Sequence, residues 1–83
     1  MSKVFVGGLA WAVDDDGLRE HFEQCGPVRE ARVIRERETG RSRGFGFVTF
    51  ERAEDASRAK EQLNGSVHEG RTIRVESAQD QRR

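Results

Sequence analysis

Residues 43–50 read Arg-Gly-Phe-Gly-Phe-Val-Thr-Phe, and their alternation constrains the fold more than any other stretch. Side chains of an extended strand point to alternate faces, so Arg43, Phe45, Phe47 and Thr49 share one face. Gly46, Val48 and Phe50 share the other. Both faces therefore carry large apolar groups. A small domain has one face of such a sheet to spare for its core, so the second face must meet something else. Flat aromatic rings beside a fixed positive charge suit unpaired nucleic-acid bases.

The chain has 83 residues, which predicts one domain with a modest core. No run approaches the roughly 18 apolar residues of a membrane span, and the N-terminus lacks the apolar centre of a signal peptide. The expectation is a soluble monomer in the cytoplasm, or in the nucleus of a eukaryote. A single cysteine, Cys25, excludes an internal disulfide and fits a reducing interior. Net charge is zero, but its distribution is uneven. From Asp14 to Glu23 five acids oppose one base, whereas from Arg29 to Arg43 six bases oppose three acids. Binding responds to the local field, so overall neutrality does not exclude a polyanionic partner.

Lys3 to Gly7 reads as a strand, broken by Gly7-Gly8. Asp14, Asp15 and Asp16 suit a helix start, where the end of the dipole is positive. Leu18, Phe22 and Cys25 give that helix an apolar stripe, and Gly26-Pro27 ends it. Val28 to Arg35 is a second strand, followed by a charged loop over 36–42 with a turn at Thr39-Gly40. Residues 43–50 form the third strand. Ala53 to Gln62 is a second helix with Ala56, Ala59 and Leu63 on one stripe. Val67 to Gly70 reads as a short hairpin, Arg71 to Ser77 as the last strand, and 79–83 as a polar tail outside a domain spanning 1–78.

The fold class is therefore α+β: a ferredoxin-like β-α-β-β-α-β chain, with a four-stranded antiparallel sheet and both helices on one face. Period two also orients that sheet. One face collects Val4, Val6, Ala31, Val33, Gly46, Val48, Phe50, Ile73 and Val75, none of them charged. The other collects Lys3, Phe5, Glu30, Arg32, Ile34, Arg43, Phe45, Phe47, Thr49, Arg74 and Glu76. Burying the second set would strand several charges at several kcal/mol each. The helices must cover the first set, which leaves Phe5, Phe45 and Phe47 facing water. Cross-strand packing alone could account for single rings of this kind, but a soluble monomer seldom exposes three together without using them.

At this point the residues resemble a known family. The octapeptide matches the longer signature of the RNA recognition motif at every position, [K/R]-G-[F/Y]-[G/A]-[F/Y]-V-x-[F/Y]. Val4-Phe5-Val6-Gly7-Gly8-Leu9 looks like its shorter signature on the first strand, and the resemblance spans residues 3–77. Within the family, Gly7-Gly8-Leu9-Ala10-Trp11 and the run 37–44 look most like the glycine-rich and cold-inducible RNA-binding proteins, here without the glycine-rich tail. The resemblance implies single-stranded RNA as the partner, with single-stranded DNA held more weakly. It implies that Phe5 and Phe45 stack bases, that Phe47 packs against sugars, and that Arg43 pairs with a phosphate while Lys3 adds a contact near Phe5. Arg32, Ile34, Arg74 and Glu76 line the rim of that face. Arg35, Arg37 and Arg41 are either backbone contacts or ordinary solvated loop charges.

The remaining candidates read as structural. Trp11 is expected to pack over the start of the acidic helix, His21 to be part-buried, and His68 to be exposed. Lys60 stands where relatives usually have an aliphatic residue, so it should either snorkel or leave the core thinner there. Gly46 should allow a close helix approach, and Gly44 should avoid crowding at the start of its strand. His21 and Cys25 lack a third metal ligand, and nothing pairs a nucleophile with a base. The expectation is a binding module without cofactor, metal or catalysis. A protein-interaction domain on the same fold is the alternative.

Overall fold

The computed structural model describes residues 2–78, so the polar tail at 79–83 lies outside the described residues. The elements run β1 (Lys3–Gly7), α1 (Asp15–Phe22), β2 (Val28–Arg35), β3 (Ser42–Phe50), α2 (Ala53–Leu63), β4 (Val67–His68), β5 (Arg71–Thr72) and β6 (Arg74–Ser77). The main sheet has the order β2-β3-β1-β6 with every pairing antiparallel, and β4 and β5 form a separate hairpin. This is the expected ferredoxin-like architecture. The core lies between the sheet and the helices: Val4, Val6, Val48, Phe50, Ile73 and Val75 meet Leu18, Phe22, Ala56, Ala59 and Leu63, all buried.

Each helix starts and stops for local reasons. Asp14 caps α1, its carboxylate accepting from the Gly17 amide at 2.8 Å, and Asp15 and Asp16 fill the first turn. The helix ends at Phe22, three residues before the end of its apolar stripe. There the Cys25 amide donates to Phe22 and that of Gly26 to Glu23, both three-residue spacings that tighten the chain out of α geometry. Cys25 is nevertheless buried in the turn. In α2 the stripe is Ala56, Ala59 and Leu63, joined by a buried Asp55 that pairs with Arg58 at 3.2 Å. Lys60 is off this stripe and exposed, so it neither snorkels nor thins the core.

The sheet departs from simple alternation in three places, one of them a β2–β3 register shift between Val33 and Arg35. Between Val28 and Glu30 the β2–β3 register shifts, and this bulge turns Val28 into the core. The segment expected as one strand over 71–77 is divided at Ile73, whose amide donates to Ser66 at 2.9 Å and whose carbonyl accepts from Gly65 at 2.8 Å. Those bonds take Ile73 out of both ladders, leaving Arg71–Thr72 to pair with Val67–His68 and Arg74–Ser77 with β1. The two glycines of the octapeptide have other reasons than those expected. Gly44 holds a φ of +84°, and little crowds it. A side chain at Gly46 would run into the β2 backbone at Arg32, so the close approach is by a strand and not by a helix.

Side chains cap both edges of the sheet. The Val33 amide on β2 donates to Asp15 at 2.7 Å, and the Val75 amide on β6 donates to Asn64 at 2.9 Å. Each occupies one backbone donor of an edge strand. The same contacts fix the helices against the sheet, so the opposite face stays open.

Candidate nucleic-acid interface

The registers arrange the open face in rows across the strands. Glu30, Thr49 and Lys3 are aligned; next come Arg32, Phe47, Phe5 and Glu76; Phe45 and Arg74 then flank Gly7. The three phenylalanines form one cluster. Phe5 lies 5.7 Å from both Phe45 and Phe47, and Phe45 lies 6.5 Å from Phe47. The ring planes meet at 35°, 69° and 84°, so the quadrupoles favour the contacts and the rings do not lie in one plane. The rings are half-buried by one another and by the sheet rather than fully in water. Fixed rings of this kind lose little entropy when a base settles on them.

Two cations accompany the cluster. Lys3 Nζ lies 5.0 Å from the Phe47 centroid, and the Arg43 guanidinium lies 5.9 Å from that of Phe45. Both are exposed, and neither has an acidic partner within ion-pair distance among the described residues. The edge cations differ. Arg32 pairs with Glu30 at 2.8 Å on β2, and Arg74 pairs with Glu76 at 3.0 Å on β6. Ile34 is half-buried on β2 beyond Arg32. All nine residues expected from the sequence thus lie on the open face: Lys3, Phe5, Arg32, Ile34, Arg43, Phe45, Phe47, Arg74 and Glu76. Arg35, Arg37 and Arg41 stand exposed in and beside the β2–β3 loop.

Several features were not anticipated. Alternation puts Glu30 on this face without marking it as a site residue, although its i, i+2 spacing to Arg32 matches that of Arg74 and Glu76. Trp11 is 71% exposed, so it does not cover α1; the buried Leu9 and Val13 on either side fill that part of the core. His68 is half-buried, not exposed, and stacks on His21 with centroids 3.9 Å apart. Forty-seven residues separate the two, and no local pattern announces a contact made by a hairpin folding onto a helix. Burial holds His21 below the ordinary histidine range, and the neighbouring His68 lowers it further against an opposing pull from Glu69. Burial likewise raises the Cys25 thiol, against an opposing pull from Arg58.

Comparison with known proteins adds to this geometry. A family model described as the RNA recognition motif matches residues 4–74. The chain is 53% identical over 79 residues to the mitochondrial glycine-rich RNA-binding protein 3 of Arabidopsis thaliana, covering 95% of this chain and 26% of that protein. It is 49% identical over 77 residues to a glycine-rich RNA-binding protein of Daucus carota, covering 93% and 49%. The chain therefore spans about half or less of these relatives' length. Among solved structures, that of the RNA-binding protein PG1 superposes with a TM-score of 0.92 at 42% identity over the whole of both chains. RNA recognition domains 1 and 2 of Sex-lethal from Drosophila melanogaster give 0.89 at 30% identity, covering 96% of this chain and 51% of that one.

Proposed function

The chain belongs to the RNA recognition motif family, and from that premise we propose that its open sheet face binds single-stranded RNA, with bases stacked on Phe5 and Phe45. One observation carries the reading: three mutually packed rings on a solvent-facing sheet, beside two cations that have no acidic partner among the described residues. Stacking supplies about 1–3 kcal/mol per base and accepts any base, since each has a π-face. Phe47 packs against sugars between the stacked nucleotides, while Arg43 and Lys3 meet phosphates. A surface of this size holds about two to four nucleotides, with Kd on the order of micromolar, about −8 kcal/mol. The domain works as a binding module and not as an enzyme, with no cofactor.

The test is the double variant Phe45→Ala/Phe47→Ala, measured by fluorescence anisotropy on a labelled single-stranded RNA pool. Binding should fall to the nonspecific level while the melting temperature stays within a few degrees. Full affinity in the folded variant would rule the reading out. Remaking the best ligand as DNA measures what the 2′-OH contributes, and weaker DNA binding is expected.

Two finer readings go with this one. Resemblance to the glycine-rich proteins supports a role as RNA chaperone or post-transcriptional regulator under cold or stress. Saturating protein should then lower the melting temperature of an RNA hairpin, and an unchanged melt counts against it. Cytoplasmic placement is also a proposal, because relatives include a mitochondrial and a chloroplastic protein. Fractionation of the host cell decides it.

A further inference from the structure

A carboxylate on a surface built for a polyanion repels its ligand unless it has a specific donor to accept from. Glu30 is such a group, with one oxygen taken by Arg32 and the other open, aligned with Lys3 and Thr49 and one row from Phe47. A shallow cavity of about 340 Å³ opens there, lined by Lys3, Glu30, Arg32, Ile34, Phe47 and Thr49. The half-buried Ile34 and Phe47 give it an apolar lining, and the Glu30–Arg32 pair gives it a charged one. We propose that this cavity is a guanine-selective subsite in which the Glu30–Arg32 pair reads the base edge; the inference rests on the RNA-binding function proposed above.

The chemistry follows from the donors and acceptors present. Only one hydrogen bond links the pair, from Arg32 Nη2 to Glu30 Oε2. Among the described residues, Glu30 Oε1 and the remaining Arg32 N–H groups are open. A carboxylate has about four lone-pair directions, so it can accept two adjacent N–H groups at once. Guanine is the base with two adjacent donors on its Watson–Crick edge, N1–H and the 2-amino group, next to the acceptor O6. Glu30 accepts the two donors, and Arg32 donates to O6. Cytosine and adenine each offer the carboxylate one amino group, and uracil offers one ring N–H. The larger purine ring also covers more of the Ile34 side chain than a pyrimidine does. A subsite of this kind gives sequence preference that stacking alone cannot.

Three proteins and three ligand types test the assignment by anisotropy at fixed salt. The proteins are the wild type, Glu30→Gln and Phe45→Ala/Phe47→Ala. The ligands are hexauridylate and its counterparts carrying one guanosine, or one inosine, at each position in turn. For the wild type, the best guanosine ligand should bind about tenfold tighter than hexauridylate, the lower end of the range for one well-made base contact. Inosine lacks the 2-amino group and should lose most of that gain. Glu30→Gln replaces one acceptor by a donor and should bring guanosine down to the hexauridylate level, with hexauridylate binding unchanged or slightly tighter. Failure of the wild type to bind any ligand overturns RNA binding and this subsite together. Wild-type binding that depends on Phe45 and Phe47 but lacks a guanosine preference, or keeps it in Glu30→Gln, overturns the subsite alone. A matched melting curve for Glu30→Gln is expected, since the exposed ion pair it breaks contributes little to stability.

Discussion

Phe47 and Phe50 stand three residues apart on β3, and their environments are opposite. Phe50 is fully buried under the helices, 6.4 Å from Phe22. Phe47 lies on the open face among Phe5, Phe45 and Lys3. The same side chain holds the fold together in one place and forms a candidate binding surface in the other. The difference comes from strand parity and from what the neighbouring strands carry. Val48 and Phe50 have Val4, Val33 and Val75 on their face, whereas Phe45 and Phe47 have Lys3, Arg32 and Arg74. A helix can cover the first set at no electrostatic cost and cannot cover the second.

The two faces should therefore respond to mutation in separable ways. The largest effect is expected on the covered face. Phe50→Ala should destabilise the domain by about 3–5 kcal/mol, the range for truncating a buried Phe. At about 4–8 °C per kcal/mol for a domain of this size, little folded protein should survive at 37 °C. Phe47→Ala should leave the thermal melt within a few degrees of wild type. Calorimetry of the pair checks this, and equal losses would mean that the open-face rings are core by another name.

Next in size is the loss of the central ring. Phe5 touches both other rings, so Phe5→Ala should weaken RNA binding by about 1–3 kcal/mol, the worth of one stacked base, with a smaller change in stability. Titrations of Phe5→Ala and Phe45→Ala separately and together sharpen the comparison. Additive losses indicate two independent stacking positions, and a marked shortfall indicates one shared base.

How much of this was legible in the sequence follows from the range of each interaction. Phe45, Phe47 and Arg43 were visible because period two is a local property of an extended chain, and the charges of β1, β2 and β6 then chose the face. Features set by distant partners were not visible. Val28 is turned inward by a bulge against β3, and Ile73 leaves the ladder because Gly65 and Ser66 take its backbone bonds. Trp11 has the composition of a packing residue, but Leu9 and Val13 already occupy that space. The pairing within Glu30–Arg32 lies one step further, since alternation puts both residues on the face but does not show their mutual bond.

Salt gives a smaller and more selective test. Arg43 has no acidic partner among the described residues, whereas Arg74 is already engaged by Glu76. Single-stranded ligands change log K against log salt by about −0.7 per phosphate neutralised. Arg43→Ala should therefore flatten that slope by about 0.7, while Arg74→Ala should leave it nearly unchanged. A change of equal size in both would show that the Arg74–Glu76 pair opens when RNA binds.

The smallest effect is expected from pH, and it should separate the two sides of the sheet again. His21 and His68 stack behind the sheet, where α1 meets the β4–β5 hairpin, with Glu20, Gln24 and Glu69 around them. Burial and the neighbouring ring hold His21 below its unfolded value of 6.5, so the unfolded chain takes up a proton first as pH falls. Stability is then fully present above about pH 6.5 and declines below it, levelling off once the folded His21 is itself protonated. The open face has no histidine among the described residues, and the interval to test runs from pH 7.5 to 5.5. Lowering pH across that interval should reduce the melting temperature while leaving RNA affinity, measured well below the melt, unchanged. His68→Gln removes the repulsion and should shrink the pH dependence of the melt. If affinity falls in parallel with stability, the hairpin behind the sheet is coupled to the platform in front of it, and the independence of the two faces fails.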